Sequence, residues 1–226
     1  MTDDTGTTRW LFADQLGPHF DDGGPLLLIE ARSVFERRTY HRQKAHLILS
    51  ALHHRAADDP QRVTLVRSQT YAEGVTTYRD SSHRDLDAIA ATSRPARRLV
   101  ERLGLSTIHP ERGWFTTPGE FQAWVTGRGD KRLLMEDWYR GVRSRHDVLM
   151  ADGKPEGGKW NFDHDNRAPI DDAPSPPSPP RHRQDAVTRE VLALVEKRFA
   201  DHVGRLEGFN WPVTRRQALA DLRHFV

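Results

Sequence analysis

The sequence has 226 residues, 36% of them hydrophobic, enough for one large domain with a real core or one domain plus an appendage. Its lack of any cysteine excludes disulfides, thiolate metal sites, cysteine nucleophiles and an iron–sulfur cluster held by this chain alone. A formal net charge of only +2, no apolar run of membrane-spanning length and a polar, acidic start lead to the expectation of a globular, cytoplasmic protein.

Short apolar runs at residues 10–13, 26–29, 63–66, 86–91 and 105–108 have the length of buried strands. Between them lie helical patterns: Ala45, Ile48, Leu49 and Leu52 fall at i, i+3, i+4, i+7, as do Ala96, Leu99, Val100 and Leu103. Gly104 stops the second helix where a left-handed residue is wanted. The alternation predicts a Rossmann-like α/β domain over residues 8–126, a five-stranded parallel sheet with helices on both faces.

Thr117 with Glu120 three residues on is a capping box, with Pro118 at the first helical position; the helix carries Phe121, Trp124 and Val125, and Gly127 is expected to end it. Met135, Trp138, Tyr139 and Val142 form another apolar stripe, followed by a glycine-containing turn at Asp152 and Gly153. Residues 171–180 are proline-rich, favour extended backbone and read as a linker. Beyond it, residues 185–203 read as a helix, and a second capping box at Thr214 and Gln217 launches Leu219, Leu222 and Val226. The expected organisation is an α/β domain at 1–130, a helix and junction at 131–170, a linker at 171–184, and at 185–226 the beginning of a helical region that continues elsewhere.

Arginines gather in three places: Arg37, Arg38 and Arg42 with Lys44; Arg94, Arg97, Arg98 and Arg102; Arg181 and Arg183. Such runs are ordinarily the wet backs of helices, and alternatively faces that meet phosphate. No glycine-rich phosphate loop follows the first strand, which runs into Asp14, Gln15, Leu16 and Gly17. His41, His46, His53 and His54 share one helix without the i, i+4 pair of a zinc protease, so they are expected at its surface or flanks, and no metal site is assigned. No catalytic residue is assigned either. Asp14 and Glu30 sit at the carboxyl ends of the first two strands, where parallel sheets bind ligands; the structural alternative is that Asp14 caps a turn and Glu30 pairs with a neighbour such as Arg32.

The stretch GGKWNFDHDNR at 157–167 admits two readings. In one, two glycines permit unusual backbone angles, Trp160 and Phe162 anchor the loop, and Asn161, Asp163 and Asn166 satisfy its backbone. In the other, Lys159, Trp160 and Arg167 face phosphate and a stacked base or ring.

Taken in order, Phe12 to Leu16, Glu30 to Arg32, His41 to Lys44 leading into Leu49 to His54, Leu134 to Arg140, and Gly157 to Asp163 with Asn166 and Arg167 resemble the N-terminal half of the photolyase-related proteins of bacteria, the iron–sulfur cryptochromes and (6-4) photolyases. These five ordered motifs run over essentially the whole chain. The resemblance implies an α/β antenna domain, a long connection, and a C-terminal helical domain holding FAD and a four-cysteine iron–sulfur cluster, with light-driven electron transfer reversing a lesion in damaged DNA. It implies an antenna cleft at Asp14, Gln15 and Glu30, and a DNA-facing or interdomain role for Lys159, Trp160, Asn161 and Arg167. Val34 and Arg37 stand where antenna-binding relatives carry a glutamate and a tyrosine, which weighs against a lumazine here. The expected function is therefore the α/β portion of a photolyase or cryptochrome, a carbon–carbon lyase by resemblance, inactive without its flavin domain. Its implied partners are damaged DNA and a helical domain supplied separately. The alternative is a stand-alone module that binds nucleic acid or a partner.

Overall fold

A computed structural model describes residues 6–164, 167, 175 and 178–226. Asp165 and Asn166, and residues 171–174, 176 and 177 of the expected linker, lie outside the described residues. The chain forms two compact units, Met1–Arg112 with Ser178–Val226, and Gly113–Pro177.

In the first unit, β1 (Thr8–Leu11), β2 (Leu26–Ala31), β3 (Val63–Ser68), β4 (Leu86–Ile89) and β5 (Thr107–His109) make a wholly parallel sheet in the order β3-β2-β1-β4-β5. Successive strand residues face opposite ways. Trp10, Phe12, Leu27 and Ile29 pack with Val75 and Tyr78 of α3 (Tyr71–Ser82) and Val100 of α4 (Arg94–Arg102). Leu11, Leu26, Leu28 and Ile89 pack on the other face with Leu52 of α2 (Arg42–Asp58). Because helices cover both faces, the central strands are continuous apolar runs, and this is the Rossmann-like α/β fold the sequence predicts. Helix α4 ends at Gly104, whose φ of +58° is the left-handed conformation expected there. A five-residue helix, α1 (Arg32–Glu36), follows β2 directly.

A further layer comes from the C-terminal part of the chain. Helix α7 (Ala186–Arg198) is capped by Asp185, which accepts from the Thr188 amide at 2.9 Å, and it ends at Arg198 rather than running to 203. Its Val191 and Val195, with Phe199, close a core with Phe35, Ala45 and Leu49. Helix α8 (Arg215–Phe225) begins with the predicted capping box at Thr214 and Gln217 and exposes Leu222 and Phe225.

This layer corrects the expectation for the α2 histidines. His41 is a helix flank, the N-cap of α2, but His46, His53 and His54 are buried. The cover is α7, contributed from far along the chain: His46 Nε2 bonds the Thr188 carbonyl at 3.2 Å and His54 Nε2 meets Thr188 Oγ1 at 3.0 Å. His46 Nδ1 is buried without a hydrogen-bond partner among the described residues, and burial pushes the ring's pKa below the ordinary value of 6.5.

Glu30 is also buried, and its carboxylate is saturated. One oxygen takes His53 Nε2 at 2.7 Å and the other takes Arg198 Nη1 at 2.9 Å, while Arg67, its register partner on β3, lies at 3.5 Å. The basic neighbour Arg32 pairs with Glu36 instead, because both stand on α1 at i, i+4. Burial alone would raise the Glu30 pKa; the His53 hydrogen bond and the charges of His53, Arg67 and Arg198 outweigh it and hold the pKa below its usual value.

The second unit contains α5 (Pro118–Arg128), α6 (Met135–His146) and a hairpin of β6 (Met150–Ala151) and β7 (Lys154–Pro155). The capping box at Thr117 and Glu120 is formed, but α5 continues through Gly127 and stops at Gly129, the residue whose φ is positive. Phe121, Trp124 and Trp138 pack ring against ring with centroids 5.3–5.6 Å apart. Asp152 and Gly153 make the two-residue hairpin turn with φ of 50° and 72°. Among the described residues, no helix is long and apolar enough to cross a membrane.

His46 and Glu30 both bind fewer protons folded than unfolded, so each makes stability fall on acidification. The first loss comes below the ordinary histidine value of 6.5, where the unfolded chain protonates His46 and the folded chain does not. The second comes in the carboxylate range, as unfolded Glu30 protonates near 4.5 and the folded group follows at lower pH. Thermal unfolding followed from about pH 7 to about pH 4 should show a falling Tm, and Glu30→Gln should make the fall in the carboxylate range shallower without abolishing it, since Asp21 and Asp185 are also held low, while costing about 3–5 kcal/mol at neutral pH. A profile identical to wild type in that variant would contradict the assignment.

Candidate functional site

Two places collect the residues singled out in the sequence. The first is the carboxyl edge of the sheet. The order β3-β2-β1-β4-β5 reverses between β1 and β4, the position at which open α/β sheets form a crevice. Gln15 is buried there and spans the two strands: its Oε1 accepts from the Phe12 amide at 3.1 Å and its Nε2 donates to the Ile89 carbonyl at 3.3 Å. Both ends of the amide are thereby used within the fold, as are both oxygens of Glu30. Asp14 alone of the three is exposed, accepting from Thr92 Oγ1 at 3.3 Å. Beside it stands the Tyr71 phenol, with its ring against Trp10 and Phe12; burial first, then the Asp14 carboxylate, pushes its pKa up to about 12, so it stays protonated. The crevice offers one exposed carboxylate and one neutral hydroxyl.

The second place is within the second unit. An open cavity of roughly 760 Å³ is lined by Met135, Glu136, Tyr139 and Arg143 of α6, by Leu149, and by Glu156 to Asp163 apart from Gly158 and Lys159. Two of the sequence motifs, one on α6 and one in GGKWNFD, thus build opposite walls of one space. Arg143 joins them. It is the one buried residue of α6, and its guanidinium donates from Nε to the Val148 carbonyl at 3.1 Å, from Nη1 to the Trp160 carbonyl at 3.2 Å, and from Nη2 to the Leu149 carbonyl. A planar fork with five donors suits three converging carbonyls in a way that a lysine ammonium does not.

The aromatic wall is stiffened by the same cations. Arg143 lies 5.5 Å from the ring centroids of both Tyr139 and Trp160, and Arg140 lies 5.6 Å from that of Trp160. Arg140 is itself tied to Glu136 at 2.6 Å, and the same Glu136 oxygen accepts from Asn161 Nδ2 at 3.1 Å. Gly157 has φ +72°, and a Cβ there would come within 2.9 Å of the Phe162 ring, so this glycine is required both by angle and by contact. Lys159 Nζ stands 5.7 Å from the Phe162 ring centroid.

The structure therefore brings Trp160 and Asn161 together in the cavity. Lys159 and the exposed Arg167 are not part of the lining; the Arg167 amide bonds the His164 carbonyl at 3.3 Å. The apolar stripe expected of α6 differs from what forms: Met135 and Tyr139 are 63% and 45% exposed and line the cavity, while the buried position belongs to Arg143. Sequence reasoning passed over Arg143 because an arginine on an apolar stripe reads as a boundary; its place four residues after Tyr139 was the available signal. Glu156 and Asp163 have no ion-pair partner among the described residues. The site offers a stacking surface beside carboxylates. Among the described residues no group of three or more acidic or histidine side chains could hold a metal ion.

Residues 9–211 match the family described as deoxyribodipyrimidine photo-lyase-related protein. That span covers most of the chain, and the chain belongs to this family. It is similar to a (6-4) photolyase of Agrobacterium fabrum (strain C58 / ATCC 33970), with 40% identity over 119 residues, a segment that covers 53% of this chain and 23% of that protein. The chain therefore matches less than a quarter of the relative's length.

Arg143→Ala should leave three carbonyls of the 148–160 segment without their cationic donor and cost roughly 3 kcal/mol, and Arg143→Lys should restore little of it. Hydrogen exchange checks this: amides across residues 135–160 should lose protection while those of the sheet keep it. Unchanged protection would show that Arg143 does not hold the cavity.

Proposed function

We propose that this chain supplies the α/β part of a photolyase- or cryptochrome-like protein acting on damaged DNA, and that these 226 residues alone carry out no light-driven repair. The observation that carries the reading is the family match over residues 9–211, and the (6-4) photolyase relative supports a lesion of that type as the substrate. In such a protein the bound flavin supplies the photoexcited electron. The sequence offers no thiolate for an iron–sulfur cluster. The chain's own contribution is structural and positional.

Within that contribution, the cavity of the second unit acts as the junction: Trp160 and Asn161, held by Arg143, Arg140 and Glu136, present a surface, and Lys159 and Arg167 of the same sequence motif supply cations for DNA or for an adjoining helical domain. At the carboxyl edge of the sheet, Asp14 is the residue left to meet an antenna chromophore, since Gln15 and Glu30 are committed to holding the crevice. That commitment, together with Val34 and Arg37, favours a domain without a lumazine.

The experiment is absorbance of the purified chain across the flavin and lumazine bands, followed by illumination with irradiated oligonucleotide and chromatographic assay of the lesion. The expected result is no bound chromophore and no repair. Stoichiometric FAD, or lesion reversal by the chain alone, would overturn the proposal.

A further inference from the structure

The cavity of the second unit has a lining that selects the charge of its ligand. Its volume of roughly 760 Å³ lies within the range of about 300–1,000 Å³ usual for ligand sites. The lining holds one cation, Arg143, and that guanidinium is buried and committed to the Val148, Leu149 and Trp160 carbonyls. Against it stand three carboxylates, those of Glu136, Glu156 and Asp163. Glu136 receives Arg140 and Asn161 on the same oxygen, Oε1, so its Oε2 has no partner among the described residues. The Glu156 and Asp163 side chains have no hydrogen bond and no ion pair among the described residues. An anion entering this space meets repulsion without a free cationic donor.

Carboxylates alone would make only a solvated rim; here they share one space with apolar surface. Trp160 is half-buried, with Arg140 and Arg143 against its ring, but Tyr139 and Phe162 remain 45% and 44% exposed, and Met135 and Leu149 more so. Among the described residues of the second unit Arg143 is the only buried one, so these apolar side chains have no cover within the unit. Single exposed apolar residues are ordinary, whereas several gathered around one cavity mark a surface that binds.

Open aromatic faces, flexible apolar contacts and unpaired carboxylates together match an alkylguanidinium. Its planar cation stacks on an aromatic ring and forks onto a carboxylate, and its methylenes lie along apolar side chains such as Met135 and Leu149. An ammonium is compact, more strongly hydrated and without a planar face, so it matches less well. We propose that the cavity receives an arginine side chain presented by another polypeptide. A free arginine molecule would bring its own carboxylate against the three in the lining, whereas a residue within a chain brings none. This occupant suits the junction role proposed above without resting on photorepair, because guanidinium binding is measured in the dark, without flavin or DNA.

The test is a nitrogen-15 NMR titration of the full chain with a capped tripeptide, acetyl-glycyl-arginyl-glycine amide. The Trp160 indole N–H and the amides of residues 156–163 should shift saturably, and less as salt is added. The same peptide with citrulline, which keeps the shape and removes the charge, should bind at least about fivefold more weakly, as should the lysine peptide and free arginine. The double variant E156Q/D163N should lose about tenfold in affinity with an unchanged Tm, since neither carboxylate holds anything in the fold, and Phe162→Leu should weaken the arginine peptide more than the lysine peptide. Equal binding of the citrulline peptide, or undiminished affinity in E156Q/D163N, would overturn the proposal. Tighter binding of free arginine than of the capped peptide would overturn it in favour of a small-molecule site. Self-association of the chain that the arginine peptide dissolves, seen by sedimentation, would also overturn it and assign the cavity to a second copy.

Discussion

The first unit depends on one buried charge. Glu30 is buried near the carboxyl end of β2, and its carboxylate is accommodated there by His53, Arg198 and Arg67. Those three partners come from α2, from α7 and from β3, so the single carboxylate fixes the layer order of helix, helix and sheet edge at once. The apolar contacts of Val191, Val195 and Phe199 supply the nonspecific attraction between α7 and α2; the ion cluster supplies the register. His46 and His54 reinforce that register by bonding the Thr188 backbone and side chain, which belong to the first turn of α7.

The second unit solves a similar problem with the opposite charge. Arg143 is a buried cation whose partners are main-chain carbonyls, so it organises backbone rather than pairing with an acid. It donates to the Trp160 carbonyl, and both Arg143 and Arg140 lie against the Trp160 ring. Tyr139 and Trp160 give the cavity an aromatic wall, and Glu136, Glu156 and Asp163 contribute carboxylates to its lining.

The fold was largely written in local patterns: alternation of strand and helix signals, the capping boxes at Thr117 and Thr214, and the stop at Gly104 all operate within a few residues. Long-range facts were not legible. The α2 histidines read as surface groups because their cover is a helix that begins at Ala186, and no local rule connects the two. Glu30 had a plausible partner in Arg32 two positions away, whereas its real partners are distant in sequence. The same limit applied to Arg143 and to α5, where two glycines at 127 and 129 compete as stops and only the backbone angle decides between them. Of the site, the motif residues were found by their order along the chain, but their convergence with α6 around one cavity needed the three-dimensional arrangement.

The central claim is that Glu30 remains ionised in the interior and clasps α7 through that charge. Carbon-13 NMR titration of the Glu30 carboxyl measures this directly. The account predicts an apparent pKa below the ordinary value of 4.5, with protonation accompanied by shifts of the α7 amides. A carboxyl that titrates at or above that value while α7 resonances stay still would contradict it.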